Sequence, residues 1–268
     1  MLRNSGTKLY NFIKLIKALI ALVGLAPLDN VEPSVGNWGV LAHLKGLIES
    51  PHYELVAICN PSIESVRKSI EVHKLLATVK AYGSAEDLAN DPDVDLVSSN
   101  VAKPYQLAKP ALPNKKHVMA EWPLGASLGE AQELTDLARQ QDLKTVLESG
   151  AVASLSVRKA KKPTNALGLR RLITGTEGEI EVTIPDDNLQ MGHAGCAIRL
   201  RTDKEEVAQT IRFDEEEPAH VAAVPIPGAN MVRVYEAFAI STDVYVDFES
   251  FLDTHKLLDD ILQASKKI

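Results

Sequence analysis

A glycine that closes an apolar run, Gly24 after Ala18–Val23, is the first place in this chain where residue type and spacing suggest chemistry. Glycine there lets backbone N–H groups approach a pyrophosphate at the positive end of the next helix. The compact G-x-G-x-x-G spacing does not follow. Leu25-Ala26-Pro27 opens a long excursion, and glycines recur only in Gly36-Asn37-Trp38-Gly39; by itself a glycine ending a strand is most often a turn former. The second apolar run, Leu55–Ile58, ends at Cys59-Asn60-Pro61-Ser62. Folds that prefer NAD often carry Asp or Glu at that point to bond the ribose 2′-OH, whereas Asn60 and Ser62 set no carboxylate against a 2′-phosphate. The expectation is a dinucleotide site with Gly24, Leu25 and Trp38 near the pyrophosphate and Asn60 and Ser62 near the adenosine ribose, taking NADP at least as well as NAD.

Other reactive residue types read more plainly. His43 falls within a helical pattern, where packing or capping is its expected role, and His193 and His220 fall in polar stretches that read as solvated loops. Cys59 at a strand end reads as a small buried apolar residue. Asp186-Asp187 and Glu215-Glu216-Glu217 read as solvated acidic loops, so no metal site is expected. Arg158-Lys159-Ala160-Lys161-Lys162 with Arg170-Arg171 has the charge to meet a phosphate or an acidic partner, but a wet face is the simpler reading.

These residues must be positioned by 268 residues of ordinary globular composition, 45% hydrophobic and 24% charged. That argues against a disordered, fibrous or disulfide-scaffold chain. The net charge of −7 and 5% aromatics give no footprint for nucleic acid. Two distant cysteines, Cys59 and Cys196, support neither a disulfide framework nor a zinc site, and imply a reducing, cytoplasmic location. The apolar stretch Ile16–Leu25, beside Lys14 and Lys17, resembles a signal-peptide core. It is too short to span a bilayer, no small-residue cleavage site is evident, and a buried first strand is expected with no membrane partner.

Strand and helix patterns alternate from residue 18 to about 150. Strands are expected at Ala18–Val23, Leu55–Ile58, Lys80–Tyr82, Val94–Val97, His117–Glu121 and Thr145–Leu147. Helices are expected over Trp38–Ile48, from Pro61 to Leu76 with Asn60 as cap, after Ser84, over Tyr105–Leu112 and after Ser127, the two serines having capping-box form. This order predicts a doubly wound parallel sheet covered by helices. Later segments read as antiparallel β: Leu169–Thr174, a turn at Gly175-Thr176-Glu177-Gly178, Glu179–Ile184 with one wet and one buried face, Ala197–Arg201 and Val207–Phe213. Helices Met231–Ala239 and Phe248–Gln263 close the chain. The expected organisation is an α/β dinucleotide-binding domain over 18–150 and a reduced α+β domain, an antiparallel sheet plus C-terminal helices, over 151–268.

Several elements together resemble the Gfo/Idh/MocA family of NAD(P)-dependent oxidoreductases: Trp38 with Ala42-His43-Leu44, Asp91-Pro92-Asp93-Val94-Asp95, and Glu121-Trp122-Pro123-Leu124. The Glu-Trp-Pro-Leu form and the closing segments Tyr235-Glu236-Ala237-Phe238 and Asp247-Phe248-Glu249 are similar to the branch of the fungal galactose-pathway repressor. The resemblance implies hydride-transfer ancestry, a small sugar-like or secondary-metabolite substrate, and Glu121 and Pro123 near the nicotinamide ribose. It also implies dimers paired through the open face of the second domain's sheet. Family enzymes carry Glu-Lys-Pro and a Gly-Gly…Asp-x-x-x-His stretch; here Trp122 replaces the lysine and no such stretch is found, so no catalytic residue is carried over. An indole N–H donates a hydrogen bond but does not titrate as a base near neutral pH. Ordinary sugar dehydrogenation is therefore expected to be weak or absent. The alternatives are a non-catalytic, dinucleotide-sensing transcriptional regulator that binds a protein partner, and a biosynthetic enzyme for a non-redox step.

Overall fold

In the computed structural model the described residues are 17–28, 38–99, 104–121, 123–143, 145–147, 169–175, 177–185, 195–202, 204–205, 207–211, 218–240 and 245–265. Gly36, Asn37, Trp122, Arg158–Lys162, Asp186, Asp187, His193 and Glu215–Glu217 lie outside them.

Six parallel strands, β1 (Ala18–Val23), β2 (Tyr53–Cys59), β3 (Lys80–Tyr82), β4 (Leu96–Ser99), β5 (His117–Ala120) and β6 (Thr145–Leu147), form one sheet in the order β3-β2-β1-β4-β5-β6. Strand residues alternate between faces, so β1 feeds two cores. Ile20 and Leu22 join Leu25, Ile58, Leu96 and Met119 on one side, while Ala21 and Val23 join Ala57, Val97, Val118 and Ala120 on the other. Each fully buried Leu or Ile contributes about 1.5–3 kcal/mol.

The first face is covered by the segment Gly39–Leu44, wound as a π-helix, then α1 (Lys45–Glu49) and α2 (Ile63–Val72). The second face is covered by α3 (Ala85–Ala89), α4 (Pro104–Ala108) and α5 (Leu128–Gln140). The hydroxyls of Ser84 and Ser127 cap α3 and α5, accepting from the N–H groups of Asp87 and Glu130 as the capping pattern predicts. Asn60 does not cap α2. Ser62 does, its extended backbone (φ −150°, ψ 150°) aiming its hydroxyl at the Ser65 N–H, and Pro61 lies before the helix.

The chain divides into two compact units, residues 1–152 with 228–268, and residues 153–227. The single boundary expected at 150 is thereby corrected for the C-terminal helices. From α7 (Ile226–Ile240), Met231, Tyr235 and Phe238 pack into the first core. From α8 (Phe248–Ser265), Phe248, Phe251 and Leu252 pack into the second. Large apolar side chains on both helices find their burial on the parallel sheet, which no local pattern reports.

The second unit holds an antiparallel sheet, β7 (Leu169–Gly175), β8 (Gly178–Ile184), β9 (Ala197–Thr202) and β10 (Gln209–Ile211), in the order β10-β9-β8-β7. Gly178 (φ 156°) sits where a Cβ would run into the Arg201 carbonyl oxygen. Cross-strand pairing places Ile173, Ile180, Val182, Ile198, Leu200 and Ile211 on one face. That face, expected to be buried, is closed only near Ile184; Ile173, Ile180 and Ile211 remain 49%, 37% and 37% exposed. Glu181 on the opposite face pairs with Arg170 and Arg199. His220 lies on the short helix α6 (Ala219–Ala222), half-buried, rather than in a loop.

Candidate functional site

The strand order reverses between β1 and β4, and ligands of open α/β sheets bind outside the carboxyl ends of the strands at such a point. Gly24 leaves β1 there with φ 87°, in the left-handed region that favours glycine, and its N–H donates to the Cys59 carbonyl at 2.9 Å. Gly39 opens the π-wound segment against this turn. A Cβ on it would lie 2.9 Å from the Gly24 carbonyl oxygen and 3.6 Å from the Leu25 Cα. Tight turning and close helix approach, which the compact glycine motif performs within six residues, are thus shared between two glycines distant in sequence. Gly39 was visible as a glycine, but its role was hidden by the long excursion before it. Trp38, half-buried, immediately precedes this helical segment.

Behind the turn, Leu25 is fully buried, and its carbonyl accepts from Asn60 Nδ2 at 2.9 Å and from Ser69 Oγ at 2.7 Å. Asn60, 5% exposed, also reaches Ser65 Oγ and Ser69 Oγ at 3.2 Å each. His73 Nε2 donates to the Ala26 carbonyl at 2.8 Å. The Asn60 amide therefore ties the turn to α2, while Ser62 is exposed at the start of that helix. Cys59 beside them is buried, and burial pushes its thiol up to about 11.

At the ends of β4 and β5 lies a buried polar cluster. Glu121, 2% exposed, places Oε1 2.7 Å from His43 Nε2. His43 Nδ1 is 2.8 Å from the Tyr235 hydroxyl, which is also 2.8 Å from Ser98 Oγ. A carboxylate accepts only, so His43 donates from Nε2 to Glu121 Oε1, and the Tyr235 hydroxyl links His43 Nδ1 to Ser98 Oγ. Tyr53 donates to the Tyr235 carbonyl at 2.8 Å and meets its ring edge-on; burial, then the charge of Glu236, pushes the Tyr53 hydroxyl up. Glu236 bonds Ser50 Oγ at 3.1 Å and His52 at 3.0 Å, fastening the same turn of α7. The second Glu121 oxygen, Oε2, and the Ser99 hydroxyl are buried with no hydrogen-bond partner among the described residues. Their backbones meet, Glu121 N–H donating to the Ser99 carbonyl at 3.3 Å, but Ser99 pairs with Ala120 and turns its side chain to the second core, whereas Glu121 turns to the first with His43. Pro123 follows, half-buried.

The Asp-Pro-Asp-Val-Asp element proves to be structural. Lys80 Nζ bonds both oxygens of Asp91 (2.9 and 3.0 Å) and Asp93 (2.6 Å); the Tyr82 hydroxyl donates to Asp91 at 2.8 Å, and Asp95 accepts from the Leu19 N–H at 2.9 Å. Burial pushes the Asp91 carboxyl up, but the Asp93 N–H, Lys80 and Tyr82 outweigh it and hold the group below the usual range. Among the described residues no cluster of His, Cys, Asp and Glu is built to hold a metal ion, and no helix is long and apolar enough to cross a membrane.

The glycine turn and the acceptor Glu121 Oε2 lie along the edge where open α/β sheets bind their ligands. Residues 35–149 match the family model of the Gfo/Idh/MocA oxidoreductase family, NAD-binding Rossmann fold. The dehydrogenase AclE of Aspergillus oryzae is 32% identical over 123 residues, 45% of this chain and 33% of that protein. The galactose/lactose metabolism regulatory protein GAL80 of Saccharomyces cerevisiae is 25% identical over 134 residues, 47% of this chain and 31% of that protein. The chain thus spans about a third of the length of these curated relatives. A super-repressor mutant of Gal80p from S. cerevisiae superposes with a TM-score of 0.73 at 12% identity, covering 94% of this chain and 96% of that one, a likeness of fold. The strand order is that of a Rossmann fold, and residues 35–149 are similar to the NAD-binding Rossmann domain of the Gfo/Idh/MocA oxidoreductase family.

Proposed function

We propose that this chain binds NADP or NAD across the carboxyl edge of the β1–β5 strands and works as an oxidoreductase-like protein on a small sugar-like or secondary-metabolite substrate, with its dehydrogenase activity altered or lost. The observation that carries the reading is the pairing of Gly24, at positive φ, with Gly39, whose Cβ would meet the Gly24 carbonyl, in a turn closed to side chains where the strand order reverses. Gly24, Leu25 and Trp38 would hold the pyrophosphate, with Asn60 acting through the Leu25 carbonyl and Ser62 lying toward the adenosine ribose. Glu121 and Pro123 would face the nicotinamide ribose, where an acceptor-only carboxylate oxygen suits a ribose hydroxyl. A bound nicotinamide supplies hydride transfer, and the protein's part is to orient it. Trp122 stands in the sequence position of the family lysine, and an indole has an N–H donor but no group that takes up or releases a proton near neutral pH. Losing a general acid–base group removes about 10²–10⁴-fold of rate.

Titration calorimetry with both dinucleotides tests the binding, and a screen of polyols and sugars tests the chemistry. Binding of NADP at least equal to that of NAD, with near-background turnover, is expected. Binding of neither overturns the reading, and robust turnover on a simple sugar assigns the proton transfer to another residue.

A second reading is a non-catalytic, dinucleotide-sensing regulator with a protein partner. It is favoured by Trp122 and by the similarity to GAL80. Two further properties belong to the proposal. The half-exposed face carrying Ile173, Ile180 and Ile211 suits a two-fold dimer, and two free thiols, Cys59 and Cys196, suit a reducing cytoplasm.

A further inference from the structure

The buried chain Glu121–His43–Tyr235–Ser98 joins the carboxyl edge of the sheet to α7, and dinucleotide binding as proposed above does not by itself require its inner members. His43 is 1% exposed, and Tyr235 equally so. Burying a carboxylate, an imidazole and two hydroxyls together costs free energy that an apolar core would not incur, unless each group is satisfied. Here every inner group is satisfied and the outer end is not: Glu121 Oε1 is bonded to His43, and Oε2 has no partner among the described residues. His43 delivers one N–H to Oε1 and, held in turn through the Tyr235 hydroxyl and Ser98, pins the carboxylate plane. An acceptor buried without a donor is the half of a hydrogen bond that a ligand completes.

We propose that His43 and Tyr235 are positioning residues for Glu121. They lock the carboxylate so that Oε2 meets a hydroxyl of the ribose on the nicotinamide side of a bound dinucleotide. The inference rests on the dinucleotide reading and adds the residues that orient its ligand. α7 lies far along the chain from the sheet edge it serves, 192 residues separating Tyr235 from His43. Its Tyr235-Glu236 pair, held from below by Tyr53, Ser50 and His52, is then the fixed end of the chain.

The test compares the full dinucleotide, NADPH or NADH, with ADP, which lacks the nicotinamide and its ribose. Both are titrated against the whole chain carrying His43→Leu, His43→Gln, Tyr235→Phe, Glu121→Gln, or His43→Leu with Glu121→Gln. His43→Gln returns an amide N–H to the neighbourhood of Nε2. Tyr235→Phe keeps the ring against Tyr53 and removes only the hydroxyl. A hydrogen bond to a charged group is worth about tenfold or more in affinity. His43→Leu and Tyr235→Phe are accordingly expected to weaken the dinucleotide by about tenfold with ADP binding unchanged. His43→Gln is expected to recover most of the loss, and the double variant to be no weaker than Glu121→Gln alone.

Equal weakening of ADP and dinucleotide, additive losses in the double variant, or unchanged dinucleotide affinity would each overturn the proposal. If the unaltered protein binds the dinucleotide but the variants fail this pattern, positioning fails and the dinucleotide reading stands; if it binds neither probe, both fall. Circular dichroism checks folding, and should His43→Leu not fold, Tyr235→Phe carries the same comparison.

Discussion

Replacing Asn60 by aspartate exchanges one atom pair in a defined place. Asn60 Nδ2 lies 2.9 Å from the Leu25 carbonyl oxygen, and a carboxylate puts an acceptor where that donor stands. Losing a buried hydrogen bond and leaving two acceptors face to face costs about 1–3 kcal/mol. Ser69 Oγ, 2.7 Å from the same carbonyl, still satisfies Leu25, so the loss falls near the middle of that range, about 2 kcal/mol. At about 1.36 kcal/mol per tenfold change in proton affinity, this places the folded-state pKa of the introduced carboxyl about 1.5 above its ordinary 3.9. The sign follows from linkage: a carboxyl whose pKa is raised by folding penalises the native state above that pKa, and the penalty fades as pH falls and the protonated group donates to Leu25 again. Urea unfolding of both proteins at pH 7 and at pH 4 should show Asn60→Asp less stable by about 2 kcal/mol at pH 7 and nearly equal at pH 4. Equal stability at pH 7, or a gap that does not narrow with acid, would refute the assignment of the Asn60 amide to the turn. The same variant should move cofactor preference toward NAD, because the new carboxylate opposes a 2′-phosphate.

Three further outcomes are expected. Gly39→Ala should lower stability by about 1–3 kcal/mol in urea unfolding, because its Cβ would stand 2.9 Å from the Gly24 carbonyl oxygen; the gain usual for Gly→Ala in a helix would contradict that contact. Asp91, held below the usual range, contributes stability above its unfolded pKa that is lost as pH falls through the folded one. Asp91→Asn should therefore melt lower than the parent at pH 7, and the two curves should converge as the pH falls below the ordinary carboxylate range; parallel curves would mean the carboxylate is not stabilised by its Lys80, Tyr82 and Asp93 partners. Light scattering at micromolar concentration should give a dimer of the 29.1 kDa chain that Ile180→Asp with Val182→Asp dissociates. A monomer, or a dimer surviving both changes, removes that face as the interface.

Much of the first unit was legible because its signals are local. Ala18–Val23 was bounded by a polar residue and a glycine, and the structure keeps those limits. Ser84 and Ser127 cap helices because a hydroxyl three residues before an N–H needs nothing else nearby. Asn60 and Ser62 show where this local logic ends: both suit a cap, and the choice fell to Ser62 because the buried Leu25 carbonyl drew the Asn60 amide away. His43, read as packing or capping, is instead the centre of a buried polar chain whose partners come from β4, the end of β5 and α7. Glycines 24 and 39 likewise share one turn only because a strand end and a helix start meet in space. Propensity, capping and alternation act over a few residues and were readable in order. The cluster at Glu121 depends on which distant side chains the sheet brings within 3 Å, and burial there, not sequence spacing, decides which polar groups must find one another.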